Sequence, residues 1–69
     1  MRNPDRLYKF YDELRLYHMQ YFPELRFGQF IADFDVWLRG EKNTGFYYIE
    51  EEEILRYMID FIKYRIGIK

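Results

Sequence analysis

The sequence predicts an all-α fold, a compact three-helix bundle in one domain covering residues 1–69. Three observations predict it. Apolar residues recur at three- and four-residue spacing in three separate segments. Helix start and stop signals bracket those segments. The chain of 69 residues has room for one small core and no second one. The expected helices span about 4–22, 25–39 and 50–66, with an aromatic-rich loop at 40–49.

The first helix opens on Asn3 as N-cap, Pro4 at the first helical position and Asp5 at the positive end of the dipole. Leu7, Phe10, Tyr11, Leu14, Tyr17, His18 and Tyr21 then share one face, with Lys9, Asp12, Glu13 and Gln20 opposite. Pro23 disfavours helical geometry in the residue before it, so the helix is expected to end near Phe22. In the second helix Phe27, Phe30, Ile31, Phe34, Trp37 and Leu38 form the stripe, Arg26, Gln29 and Asp33 lie across from it, and Gly40 is the expected stop. The short "FPEL" connection makes these two helices packing neighbours. "GEKNTG", residues 40–45, reads as loop. "FYYI", residues 46–49, has β propensity but no partner strand, and is expected as an extended lead-in whose rings cover the bundle end. "EEEE", residues 50–53, opens the third helix at its positive dipole end. Ile54, Leu55, Met58, Phe61, Ile62 and Ile66 are its apolar face, and Lys63, Arg65 and Lys69 gather at the far end.

Composition narrows how so small a core is held and what it does. There is no cysteine, which removes disulfides and thiolate metal sites. Eight tyrosines, seven phenylalanines and one tryptophan supply heavy packing instead. A net charge of −1 gives no overall field for polyphosphate or an anionic membrane. No apolar run approaches membrane-spanning length and the N-terminus has no signal-peptide core, so the expected location is cytoplasmic.

Catalytic side chains are scarce. Serine and cysteine are absent, Thr44 is the only threonine, and the only histidine, His18, lies on an apolar stripe. A nucleophilic triad within one chain is thereby excluded, and His18 is expected as a core-edge residue hydrogen-bonded to a tyrosine. Glu50–Glu53 lacks the interleaved glycine and carbonyl order of a calcium loop, and reads as a solvated helix start. The expectation is no enzyme activity, no metal and no cofactor. Gly28, costly inside a helix, is read as a point of close packing, with a ligand site flanked by Arg26 and Gln29 as the alternative.

What remains is apolar surplus. Leu16 falls opposite the first stripe and Val36 opposite the second; Tyr8, Met19 and Phe22 form a further flank, and Ile59 and Ile68 add to it. Flanks rich in Tyr, Met, Trp and Arg have the composition of an interface. The expected partner is another protein or a second copy of the chain. Arg26, Gln29, Trp37, Tyr47 and Tyr48 are the candidate contact residues, with Leu16 and Met19 as a second patch. The alternative is a small nucleic-acid-binding regulator reading bases with the second helix, although Asp33 and Asp35 there oppose phosphate.

"RNPDR", "PELRFGQ" and "FYYIEEEEI" resemble a group of small, uncharacterised bacterial and phage proteins. That group shares an arginine-proline start, a P-D/E-L-R-x-G-Q segment and a later F-Y-x-E-acidic segment. The resemblance covers most of the chain and supplies no catalytic or binding residues. It implies an accessory protein of phage or mobile-element origin that binds a host protein as inhibitor or adaptor, by analogy only.

Overall fold

The architecture follows from how each helix begins and ends. The computed structural model describes residues 3–67; the expectations for Arg2, Ile68 and Lys69 lie outside the described residues. Three helices are present, α1 (Arg6–Tyr21), α2 (Phe27–Glu41) and α3 (Glu51–Ile66), with a single 3-10 turn at Phe46–Tyr48 and no strand among the described residues. The all-α three-helix bundle is therefore the observed fold.

α1 is wound up in a tight lead-in. The Asp5 N–H donates to Asn3 Oδ1 (2.9 Å), while the N–H groups of Arg6, Leu7 and Tyr8 bond three residues back. Asn3 thus ties the lead-in turn, but the N-cap of the helix is Asp5 and not Asn3, and the α-helix starts at Arg6 because this first turn is tighter than α. At the other end Pro23 takes effect. Phe22 leaves helical geometry (φ −135°, ψ 45°) while its N–H still bonds the His18 carbonyl. That bend turns its ring inward. Phe22 is buried, not part of an outer flank, and stacks on Phe30 (5.2 Å) and Phe61 (5.5 Å).

α2 starts two residues later than the sequence pattern places it. The Arg26 N–H donates to Gln29 Oε1 (3.0 Å), so Gln29 caps the helix. The helix runs through Gly40 to Glu41, and Asn43, at φ 54°, supplies the left-handed residue beyond its end. The expectation that Gly40 is the stop fails because asparagine adopts that conformation with a local polar side chain. Gly28 also departs from expectation. A Cβ there would meet nothing within 4 Å, so close packing does not explain it.

"FYYI" folds as the 3-10 turn and not as an extended lead-in. Phe46 meets Phe34 at 5.2 Å and closes the core, as the lead-in was expected to do, while Tyr47 and Tyr48 face solvent. α3 carries Glu51, Glu52 and Glu53 in its first turn and Lys63 and Arg65 in its last, and it ends at Gly67 with φ +75°.

α3 is the helix whose backbone approaches both others. Arg6 pairs with Glu51 (2.9 Å), so α1 and α3 begin side by side and run parallel. Arg65 with Asp33 (3.4 Å) and Lys42 with Asp60 (3.5 Å) set α2 antiparallel to α3. These exposed pairs are worth at most about 1 kcal/mol each and specify register more than stability. α1 meets α2 through the side chains of His18, Phe22 and Phe30. Phe30, Phe34, Leu38, Met58 and Phe61 form the fully enclosed centre, and Phe10, Leu14, Phe22, Ile54 and Ile62 complete the core.

Four stripe residues do not enter that core: Tyr11, Tyr21, Phe27 and Ile66 are exposed. The stripes are wider than the arc three short helices can enclose. Phe22→Ala should lower the unfolding free energy by about 3–5 kcal/mol in urea titration followed by circular dichroism, and Phe27→Ala by less than about 1 kcal/mol. Gly40→Ala, at a helical site with open space beyond it, should raise stability by up to about 1 kcal/mol in the same measurement.

Candidate functional site

One group of the residues excluded from the core gathers along one side of α1. Tyr8 is 76% exposed, Tyr11 59% and Met19 63%, and Phe27 at the start of α2 is 61% exposed. Two adjoining grooves run between them. One, of about 310 Å³, is bordered by Pro4, Asp5, Leu7, Tyr8, Tyr11 and Asp12. The other, of about 270 Å³, is bordered by Tyr11, Leu14, Arg15, His18, Met19, Phe27 and Phe30. Tyr11 belongs to both and joins them. Leu14 and Phe30 are core residues, so the second groove has a rigid apolar floor.

His18 fixes that floor. Its Nε2–H donates to the Leu25 carbonyl at 2.7 Å, across the α1–α2 link. Its ring lies nearly parallel on Phe30 (4.7 Å, 22°). The partner is a backbone carbonyl and not a tyrosine, because the bend at Phe22 and Pro23 brings Leu25 back beneath the last turn of α1. Placed so, His18 satisfies a carbonyl of a non-helical segment and serves as structure.

The sequence-predicted contact residues fall in four places. Leu16 and Met19 lie three residues apart on the exposed side of α1, and Met19 Sδ sits 3.8 Å from Arg15 Nη1. Arg26 and Gln29 sit at the start of α2, where Gln29 is engaged in capping. Trp37 is half-buried, 5.6 Å from Phe61 and 6.0 Å from Phe34, with the Lys42 ammonium 5.6 Å from its ring centre. It borders a groove of about 350 Å³ with Val36, Gly40 and Tyr64. Tyr47 and Tyr48 stand edge-to-face at 5.2 Å, and Tyr48 borders a depression of about 460 Å³ with Arg39, Asn43, Thr44 and Gly45.

None of these grooves brings two of the predicted contact residues together; Met19 borders the one that Phe27, the neighbour of Arg26, also borders. The sequence pattern puts Tyr8 on a flank but Tyr11 and Phe27 on the core-facing stripes. The signal available for them was width: seven stripe residues on one sixteen-residue helix exceed what a single neighbouring seam covers.

Burial, then Glu13, then Tyr21, push the Tyr17 phenol above its usual 10.0, so it remains a protonated donor at neutral pH. Among the described residues no group of three His, Asp or Glu side chains converges as a metal site, and no helix is long and apolar enough to cross a membrane. The chain matches no protein-family model, no curated protein and no solved structure.

The structural role of His18 has a direct check. His18→Ala should lose about 1–3 kcal/mol, from the hydrogen bond and the stacked ring together, in chemical denaturation. His18→Phe keeps the stacking and should recover part of that loss.

Proposed function

We propose that this chain is a non-enzymatic protein-binding module whose contact surface is the outer flank of α1 together with the start of α2. The observation that carries the reading is the concentration there of Tyr8, Tyr11, Met19 and Phe27, each more than half exposed, around two adjoining grooves, the second floored by the core residues Leu14 and Phe30. Contiguous apolar surface rimmed by polar groups is the mark of a macromolecular interface. Tyrosine and phenylalanine bring large contact area with few torsions to freeze. A groove alongside a helix suits the apolar face of a second helix, spaced at three and four residues.

The polar side chains of α2 favour protein over nucleic acid as the ligand. A base-reading helix needs side chains free for bidentate contacts, but Gln29 Oε1 accepts from the Arg26 N–H, Arg39 Nε donates to Asp35 (3.0 Å), and Asp33 accepts from Arg65. Asp33 and Asp35 also oppose phosphate. In keeping with the resemblance to small phage and bacterial proteins, the module is proposed to act in the cytoplasm as an inhibitor or adaptor on a host protein.

The test compares wild type with Tyr11→Glu/Phe27→Glu, which removes the joint of the two grooves and leaves the core intact. Affinity capture from host lysate should recover a protein with wild type and lose it more than tenfold with the variant, because two interface anchors are each worth about 2 kcal/mol or more. Tyr47→Ser/Tyr48→Ser should leave capture unchanged. A salt-sensitive shift with mixed DNA or RNA, and no protein captured through this face, overturns the reading in favour of a nucleic-acid regulator.

A further inference from the structure

α1 has a second stripe, on its outer side. Tyr8, Asp12, Arg15 and Met19 follow one another at spacings of four, three and four, which places them within about 60° of one another around the helix. All four are exposed. Read from either end, the order is apolar, charged, charged, apolar, with the two charges opposite in sign. Such a stripe is complementary to itself when a second copy runs antiparallel. With a twofold axis midway between Glu13 and Leu14, Tyr8 faces Met19 of the other copy, and Asp12 faces its Arg15.

We propose that the occupant of the α1 face is a second copy of this chain, docked antiparallel through Tyr8, Asp12, Arg15 and Met19. This rests on the outer flank of α1 being the binding surface, and it names what covers that surface in the absence of a host protein. Charge complementarity carries it. Two copies form two symmetric Asp12–Arg15 pairs between chains, flanked by two tyrosine–methionine contacts, an arrangement in which sulfur against an aromatic ring edge is favourable. Within one chain Arg15 Nη2 reaches Asp12 Oδ1 only at 3.9 Å, and both side chains are mostly in water, at 59% and 72% exposure. The intrahelical pair is therefore weak and leaves both charges available.

Area points the same way. Covering Tyr8 and Tyr11 on both copies removes about 400–700 Å² of aromatic surface, to which Leu16 and Met19 add. That lies at the low end of interface sizes, where weak and transient dimers fall. A net charge of −1 offers almost no repulsion between copies.

Charge reversal tests the register. Sedimentation velocity across a micromolar-to-millimolar series should show wild type passing from one-chain to two-chain mass. Asp12→Arg alone sets two arginines against each other at both ends of the axis, and Arg15→Asp alone sets two aspartates. Each should weaken the dimer about tenfold or more. An equimolar mixture of the two variants restores two attractive pairs and should form the dimer again. Both positions are exposed, so unchanged circular dichroism is the expected control. Wild type at one-chain mass throughout, or a dimer indifferent to both reversals, or no recovery on mixing, overturns the proposal. The binding-face reading fails separately, when Tyr11→Glu/Phe27→Glu leaves both dimerisation and partner capture unchanged.

Discussion

The bundle depends on where α1 is made to stop. Pro23 holds Phe22 out of helical geometry, and the bend directs that ring between Phe30 of α2 and Phe61 of α3. Phe61 then meets Phe34 at 5.3 Å and Trp37 at 5.6 Å, and Phe34 meets Phe46 at 5.2 Å. The core is thus a continuous series of rings that begins at a residue belonging to no helix. Each contact adds a fraction of a kcal/mol to about 1.5 kcal/mol beyond the area it buries. In a chain without disulfides, that surplus is how a small core reaches useful stability.

The same economy produces the exposed flank. A small domain buries a smaller fraction of its surface than a large one does. Here the volume between three helices is filled by five phenylalanines, three branched aliphatics, Leu14 and Met58, either wholly or nearly buried. Tyr11 and Phe27 share the apolar character of that set but find the interior already occupied. They form the rim of the groove whose floor is Leu14 and Phe30. Core and candidate site are therefore two consequences of one aromatic-rich composition, and His18, bonded to the Leu25 carbonyl and stacked on Phe30, is the hinge between them.

Much of the fold was legible because helix signals are local. Apolar period, Asn3 and Pro4 at one end, and acidic Glu51–Glu53 against basic Lys63 and Arg65 at another, are all read within a turn or two of chain. What was not legible needed the third dimension. A helical wheel puts Phe22 on α1's outer flank only if Phe22 remains helical, and Pro23 ensures that it does not. The wheel puts Phe27 inward only if a neighbour reaches the first turn of α2, where none encloses it. Gly40 against Asn43 as the end of α2 was a choice between two residues able to turn left-handed, decided by where the capping N–H of Lys42 finds the Leu38 carbonyl. For the candidate site the exposed side of Leu16 and Met19 could be read from sequence, whereas the grouping of Tyr11 with Phe27 depends on the angle at which α2 returns past α1.

The ionic residues sort by the same logic. Arg6–Glu51, Asp33–Arg65 and Lys42–Asp60 each join two elements and hold their register. Asp35–Arg39 lies within α2, where a Cβ on the buried Gly45 of the following loop would sit 3.5 Å from the Asp35 carboxylate. Asp12–Arg15 joins nothing to anything: it lies along one helix, at the longest distance of the five, on the face that the rest of the bundle leaves uncovered. An exposed i, i+3 pair in this order adds little to helix stability. Its value lies in what it does to an otherwise greasy stripe. Flanked by Tyr8 and Met19, two opposite charges keep α1 wetted when the chain is alone and discriminate among surfaces that approach it, since an apolar partner lacking matching charges must desolvate both without return. A shallow apolar stripe interrupted by charge in this way is less open to indiscriminate association than an unbroken one.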